Sequence, residues 1–451
     1  MSERILVLDA LDSQSEAAQS LRTNLRNSLA KRSSDIDWVD VSRSALVPCI
    51  GCFDCFRTTP GECRFRKDDG NYLLAKLAGC DTVIRLSGIS FGGYNSSMKL
   101  VLDRSVPFVL PFFEIVNGDT HHVPRYEKRP RAVSIGLATE SGAREAELFR
   151  TIAARNALNK ASPSYAATVI YCGENPENMA RKIEDVLTRN DKPVDISTLE
   201  RLVPAPSFVG GPAPKRALLL SASQKTLSTS SSERICRALM HHLKAAGTDC
   251  ELLTLNASVF SDKGRERFLA QVEQADLMVM AFPLFVDALP SMPTRVLEML
   301  AEYLPQNSAA PKKRFAVVVN CGFPEAHQNA PAAAICAHFA EKIGWDWAGA
   351  LLVGGGEGVV CGKEITTNIA KAHPPFAKVA RALALMGEAL AHGVPVPDSL
   401  GALMAEAPLP IPFSWWRKLY LTMGDWGFRK TARAGGVSKK QLYARPYAPK
   451  N

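Results

Sequence analysis

Two apolar patterns alternate along this chain. Short, nearly continuous apolar runs stand at residues 4–9, 81–87, 131–137 and 168–171, and stretches with apolar residues every three or four positions follow, as at 17–30 and from 98–103 onward. A continuous run of strand length suits a strand buried on both faces, and the three-to-four spacing suits a helix with one buried face. The same series returns later, with runs at 216–221, 275–283, 314–320 and 350–354 and helical patterns at 233–246 and 294–303. Strands alternating with helices predict βαβ units and a parallel sheet. The repeat predicts two copies of one α/β unit.

The copies differ in one spacing. Arg4 to Asp81 is 17 positions longer than Arg216 to Asp276, and residues 48–66 are about the right length to supply the surplus. Residues 203–214 hold four prolines and two glycines, which sustain neither helix nor central strand. The expected organisation is a first domain over 1–200 with an insertion at 48–66, a linker over 201–214, a second domain over 215–398, and a basic, aromatic extension over 399–451.

Composition narrows the class. The 451 residues are 46% hydrophobic and 22% charged, as in an ordinary globular protein. No run reaches the ~18–20 apolar residues of a membrane span; the stretch 277–289 is broken by Pro283 and Asp287. The start, MSERILVLDA, lacks the basic start and apolar core of a signal peptide, so a cytoplasmic protein is expected. Of the net charge of +9, residues 411–451 contribute +8, through nine Lys/Arg against Asp425. The basicity belongs to a tail, and with no recognised module there, nucleic-acid binding is not expected.

Four of the eleven cysteines, Cys49, Cys52, Cys55 and Cys63, form C-x2-C-x2-C-x7-C. Thiolates at two-residue spacing converge on one centre because the short loops fold back on it. Iron–sulfur clusters use such spacings, a structural zinc uses four thiolates in wider pairs, and a metal-free dithiol is the third reading. The other cysteines (Cys80, Cys172, Cys236, Cys250, Cys321, Cys336, Cys361) lie mostly in apolar runs and read as core. After the first strand of the second copy comes a Ser/Thr-rich turn containing Ser223, Lys225, Ser228, Thr229 and Ser230. Hydroxyls, a lysine and backbone amides at a helix N-terminus make an anion site; a plain helix cap is the alternative. The corresponding first-copy turn has Ser13 and Ser15 but also Asp12 and Glu16, which bring negative charge to where an anion would sit.

These residues and the strand–turn–helix order resemble the flavodoxin-like superfamily, specifically its NADPH-dependent FMN reductase and iron–sulfur flavoprotein branch, over about 3–190 and again 214–390. The resemblance implies two tandem doubly wound parallel sheets with FMN at the carboxyl ends of the strands. It implies that Ser223, Lys225, Ser228, Thr229 and Ser230 hold the FMN phosphate. Pro283, Leu284, Phe285 and Val286, then Asn320, Cys321 and Gly322, would contact the flavin ring, as would Ser87, Phe91, Gly92 and Gly93 in the first copy. Cys49, Cys52, Cys55 and Cys63 would carry a [4Fe–4S] cluster. The implied activity is that of an FMN-containing oxidoreductase and electron-transfer protein supplied by NAD(P)H or a protein donor. A cluster-free FMN or quinone reductase and a non-catalytic scaffold are the other readings, and a homo-oligomer is expected from the fold. His121 and His122 read as polar groups near the first cleft. The tail carries Phe413, Trp416, Leu419 and Tyr420 at helical spacing, with Trp415 and Trp426. Its stripe reads either as packing against its own domain or as contact with a membrane surface.

Overall fold

The computed structural model describes residues 2–139, 142–224, 230–304, 312–356, 365 and 376–448. The chain divides into two units, one of Met1–Asp195 with Met423–Asn451 and one of Ile196–Thr422.

In the first unit the apolar runs become strands β1 (Arg4–Ala10), β3 (Thr82–Ser90), β7 (Arg131–Ala138) and β8 (Tyr165–Tyr171), with β2 (Asp35–Asp40) at one edge. The parallel order is β2-β1-β3-β7-β8. In β1, every residue after Arg4 is buried, because the sheet carries helices on both faces. The helix Glu16–Ala30 lays Ala18, Leu21, Leu25 and Leu29 on Val7, Ile84 and Ile135. A short strand β4 (Gly93–Tyr94) folds back antiparallel on β3. A hairpin of β5 (Val109–Val116) and β6 (Asp119–Pro124) stands apart from the main sheet.

The second unit repeats the plan with β9 (Arg216–Ser221), β10 (Asp249–Thr254), β11 (Leu277–Pro283), β12 (Arg314–Asn320) and β13 (Asp346–Val353), in the order β10-β9-β11-β12-β13. Leu239, Leu243, Val279, Val318, Leu383 and Met386 lie in its core. Taking the main-sheet strands of each unit in chain order, both sheets read 2-1-3-4-5, the flavodoxin-like order. In such a sheet the crevice lies at the carboxyl ends of the strands, where the order reverses.

The first unit's surplus lies between β2 and the helix Gly70–Gly79, where residues 48–66 include a single turn of helix, Asp54–Arg57. The tail forms the helix Phe413–Ala434 and the short helix Lys439–Leu442. From Met423 onward it belongs to the first unit.

Candidate functional site

In the second unit, the carboxyl ends of β9, β11 and β12 meet. Pro283 pairs with Asn320 in register, and the Leu284 amide donates to the Asn320 carbonyl at 2.7 Å. The Asn320 side chain donates to the Phe282 carbonyl at 3.0 Å and reaches Ser232 Oγ at 3.4 Å. The β11 loop turns through left-handed backbone at Val286 and Asp287, with φ of 46° and 58°. Phe285 and Ala288 close this turn by exchanging backbone hydrogen bonds of 3.0 and 3.2 Å. Gly322 is followed by open space where a side chain would stand. Cys321 is buried; burial pushes its thiol up to about 12, so it is neutral at physiological pH.

Ser223, just after β9, and Ser230, at the start of the next helix, are both buried. Ser230 caps the helix Ser231–Ala245 by accepting from the Glu233 amide at 3.3 Å. Ser221 Oγ and both amide atoms of Gln224 are buried without a hydrogen-bond partner among the described residues. Buried polar atoms without partners are costly, and at a helix N-terminus they suit a phosphate-bearing ligand. Glu233 lies in the first turn, but its carboxylate is turned to Arg237, 2.6 Å away. Lys225, Ser228 and Thr229 lie outside the described residues, as does Cys361. Of the residues expected from the sequence, Ser223 and Ser230 thus follow the carboxyl end of β9, Pro283 to Val286 that of β11 and Asn320 to Gly322 that of β12.

The first unit treats the equivalent turn differently. Asp9, at the end of β1, is 3% exposed and accepts from Arg22 Nε at 2.7 Å, Arg22 NH2 at 3.1 Å and Trp38 Nε1 at 3.1 Å. Asp9 also takes the Leu11 amide, Asp12 takes the Gln14 amide, and Ser15 takes the Ala18 amide. The donors that a phosphate needs are therefore spent on the chain's own oxygens, and Arg22 also reaches the Leu11 and Asp12 carbonyls. Ser87 is buried and bonded to Asn95, whose side chain donates to the Ala10 carbonyl. Phe91 and Gly92 form the turn between β3 and β4, with φ of 56° and 85°. A side chain at Gly92 would meet Leu148 at 2.8 Å, so Gly92 is packed rather than open.

The cysteine loop is anchored from outside. Arg104, buried, grips Asp68 with both terminal guanidinium nitrogens and donates to the Val47 carbonyl. Asp68 and Asp69 accept from the amides of Val47 and Ala45, and Asn71 brackets Cys63 by bonding both its amide and its carbonyl. Left-handed backbone at Gly51 and Phe53 reverses the chain between cysteines. Gly51 donates its amide to Cys49, but burial prevails and pushes that thiol up to about 12. Burial likewise raises the Cys55 thiol, which feels Cys49, Cys52 and Cys63 as electrostatic neighbours.

Among the described residues no three His, Cys, Asp or Glu side chains are arranged to hold a metal ion. A single tetrahedral zinc asks for sulfurs about 3.8 Å apart, from a Zn–S bond of ~2.3 Å. A cubane instead takes one thiolate on each of four irons, so its sulfurs stand wider. The donor set, four thiols on one loop that influence one another electrostatically, has the chemistry a cluster needs.

Sequence reading missed two parts of this centre. One is the β5–β6 hairpin, whose signal was Asn117-Gly118: both have positive φ, 51° and 89°, as a tight two-residue turn requires. It sets His122 against the rings of Phe56 and Phe113, while His121 bonds Asn159 at 2.7 Å. The other is Arg125, which is 1% exposed. It donates to the carbonyls of Pro107, Leu442 and Ala444. No carboxylate pairs with it among the described residues, and its NH2 has no partner. Burial pulls it down to about 10, so it stays cationic at neutral pH, and it is an electrostatic neighbour of Cys55. The tail completes the wall: Phe428 packs on Phe53 and Phe56, and Pro446 sits against Gly61.

No protein-family model matches the chain. An iron–sulfur flavoprotein of Methanocaldococcus jannaschii is 31% identical over 86 residues, 19% of this chain and 43% of that protein. The chain thus spans less than half the length of this curated relative. Among solved structures, a flavone reductase superposes with a TM-score of 0.31 at 12% identity, covering 42% of this chain and 69% of that one. An NAD(P)H:quinone oxidoreductase from Methanothermobacter marburgensis gives 0.28 at 12% identity, covering 40% and 100%. A flavodoxin from the domain Archaea gives 0.25 at 14%, covering 39% and 96%. The fold follows from strand order: both units are flavodoxin-like, and the chain is similar in sequence to an iron–sulfur flavoprotein.

Proposed function

We propose that this chain is a flavin-dependent oxidoreductase that binds one FMN in its second unit and a [4Fe–4S] cluster on residues 48–66, with NAD(P)H or a reduced protein as its electron source. The observation that carries the flavin reading is the meeting of the β9, β11 and β12 ends, with Ser221 Oγ and both side-chain amide atoms of Gln224 buried without partners among the described residues, on the segment between β9 and the helix Ser231–Ala245. Bound FMN supplies hydride and one-electron chemistry; the protein supplies position and electrostatics. Ser223, Ser230 and the amides of the helix Ser231–Ala245 would hold the phosphate, with Lys225, Ser228 and Thr229 expected from the sequence. Leu284 to Val286 and Asn320 to Gly322 would line the ring.

Arg125 supports an anionic centre at the cysteines. A buried cation without a counter-charge is expensive, and four metal-bound thiolates supply one. The second reading is a cluster-free flavin reductase with four free thiols on residues 48–66.

An anaerobic visible spectrum with iron and flavin counted per chain separates them. One flavin with about four irons is expected. One flavin without iron leaves the reductase, and a colourless protein that refuses added FMN overturns both. Lys225→Ala with Ser228→Ala is expected to abolish flavin retention; a full complement in that variant sinks the second-unit assignment.

A further inference from the structure

The helix Phe413–Ala434 has two faces of different character. One packs inward: Trp416 is 8% exposed and Ala432 is fully buried, Tyr420 donates to the Gly322 carbonyl at 2.9 Å, and Phe428 lies on the cysteine-loop rings. The opposite face carries Trp415, Leu419, Met423 and Trp426, exposed by 69%, 43%, 60% and 63%. They follow at steps of four, four and three, so they form one stripe. Exposed Lys418, Lys430 and Arg433 share that face, and none of the exposed residues of this helix is acidic. Lys430 stacks over the Trp426 ring at 4.8 Å, leaving its charge at the rim of the stripe.

From this we propose that the outer face of the helix Phe413–Ala434 docks in the plane of an anionic lipid surface. The physical reasons are three. Large apolar side chains exposed in a contiguous stripe need an apolar medium. Tryptophan favours the headgroup boundary, and lysine and arginine stems lie along apolar surface with their charges in the headgroups. No helix of the described residues is long and apolar enough to cross a membrane, so this one lies on the surface. A second copy of the chain is a poorer occupant, because two such faces bring like charges together. Nucleic acid would satisfy the basic residues but offers no apolar bed for Leu419 and Met423.

Flotation of the full-length protein with vesicles tests this. Vesicles of phosphatidylcholine with a fifth of phosphatidylglycerol are expected to carry the protein and shift its tryptophan emission to the blue, while pure phosphatidylcholine carries far less. Trp415→Ser with Trp426→Ser, at exposed positions, is expected to abolish flotation with thermal unfolding unchanged. Lys418→Gln, Lys430→Gln and Arg433→Gln together are expected to weaken it on the order of a hundredfold, at about fivefold per charge. Equal flotation of the variants and the parent overturns the proposal, as does failure of the parent to float. Binding of a single-stranded oligonucleotide without vesicle binding, or a dimer disrupted by the tryptophan changes, assigns the stripe to another partner and also overturns it.

Discussion

Arg22 and Arg125 are both half-hidden in the sequence as ordinary basic residues, and the structure gives them opposite roles. Arg22 has a carboxylate: its hydrogen bond with Asp9 raises it, and together they fill the first-unit turn. Asp9→Ala is expected to lower the stability of that unit by about 2 kcal/mol, the scale of a hydrogen-bonded charge losing its partner. The same change is expected to leave FMN per chain untouched, which equilibrium unfolding and flavin counting on one sample check together. Ser230→Ala in the second unit removes a helix cap, expected to cost about 1 kcal/mol. There, unlike Asp9→Ala, flavin retention is expected to fall as well. Asp68 gives a pH prediction. Its burial acts to raise the carboxyl, but Arg104 and the amides of Val47 and Gly70 outweigh it, holding Asp68 below the usual carboxylate range. A depressed folded value means that the Asp68 contribution is fully present above the unfolded value, about 3.9, and is lost as pH falls through the folded one. The ¹³C shift of the Asp68 carboxyl is expected to titrate below about 3.9, and Arg104→Met to bring the midpoint up.

At the scale of elements, the β5–β6 hairpin and the tail make a small apolar centre of their own. Leu110 and Phe112 from the hairpin pack with Ala432, Val437 and Leu442, and Arg429 lies over the Phe112 ring at 4.2 Å. The hairpin was hard to see because Pro111 interrupts a nearly continuous apolar run, which masks the two-residue alternation of a strand. Leu442→Ala is expected to cost about 2–5 kcal/mol, the usual range for a buried leucine. Because the same tail segment supplies acceptors to Arg125 and packs on Phe56, alkylation of the metal-free Cys49 and Cys55 thiols is expected to speed up. Destabilisation with an unchanged alkylation rate would show that the tail does not shield them. The helix pattern within 413–434 is legible as a stripe of Phe413, Trp416, Leu419 and Tyr420, but the structure divides it: Trp416 is buried while Leu419 is exposed with Trp415, Met423 and Trp426, a face that appears only when exposure is known.

Across the whole molecule, the repeat predicts two similar units, and two sheets of the same order are found. Identical topology does not make the sites identical. In the second unit Ser221 Oγ and the Gln224 amide are buried without partners among the described residues, whereas in the first the turn is closed by Asp9, Asp12 and Ser15. One flavin per chain, not two, is therefore expected when the protein is saturated with FMN and desalted.

Strands β1, β3, β7, β8, β9, β11, β12 and β13, the helical patterns at 17–30, 98–103, 233–246 and 294–303, and the cysteine spacing are legible in the residues alone, because burial of a parallel strand and the period of a helix are written locally in the side chains; the edge strands β2 and β10 and the β5–β6 hairpin are not. Which turn amides stay free, which arginine faces a carboxylate and which faces thiols, and which side of the tail helix is covered depend on residues far apart in the chain. Arg125 meets Leu442 and Ala444 across more than three hundred positions. Such pairings carry no local period, so only folding the chain brings their charges and donors into reach of one another.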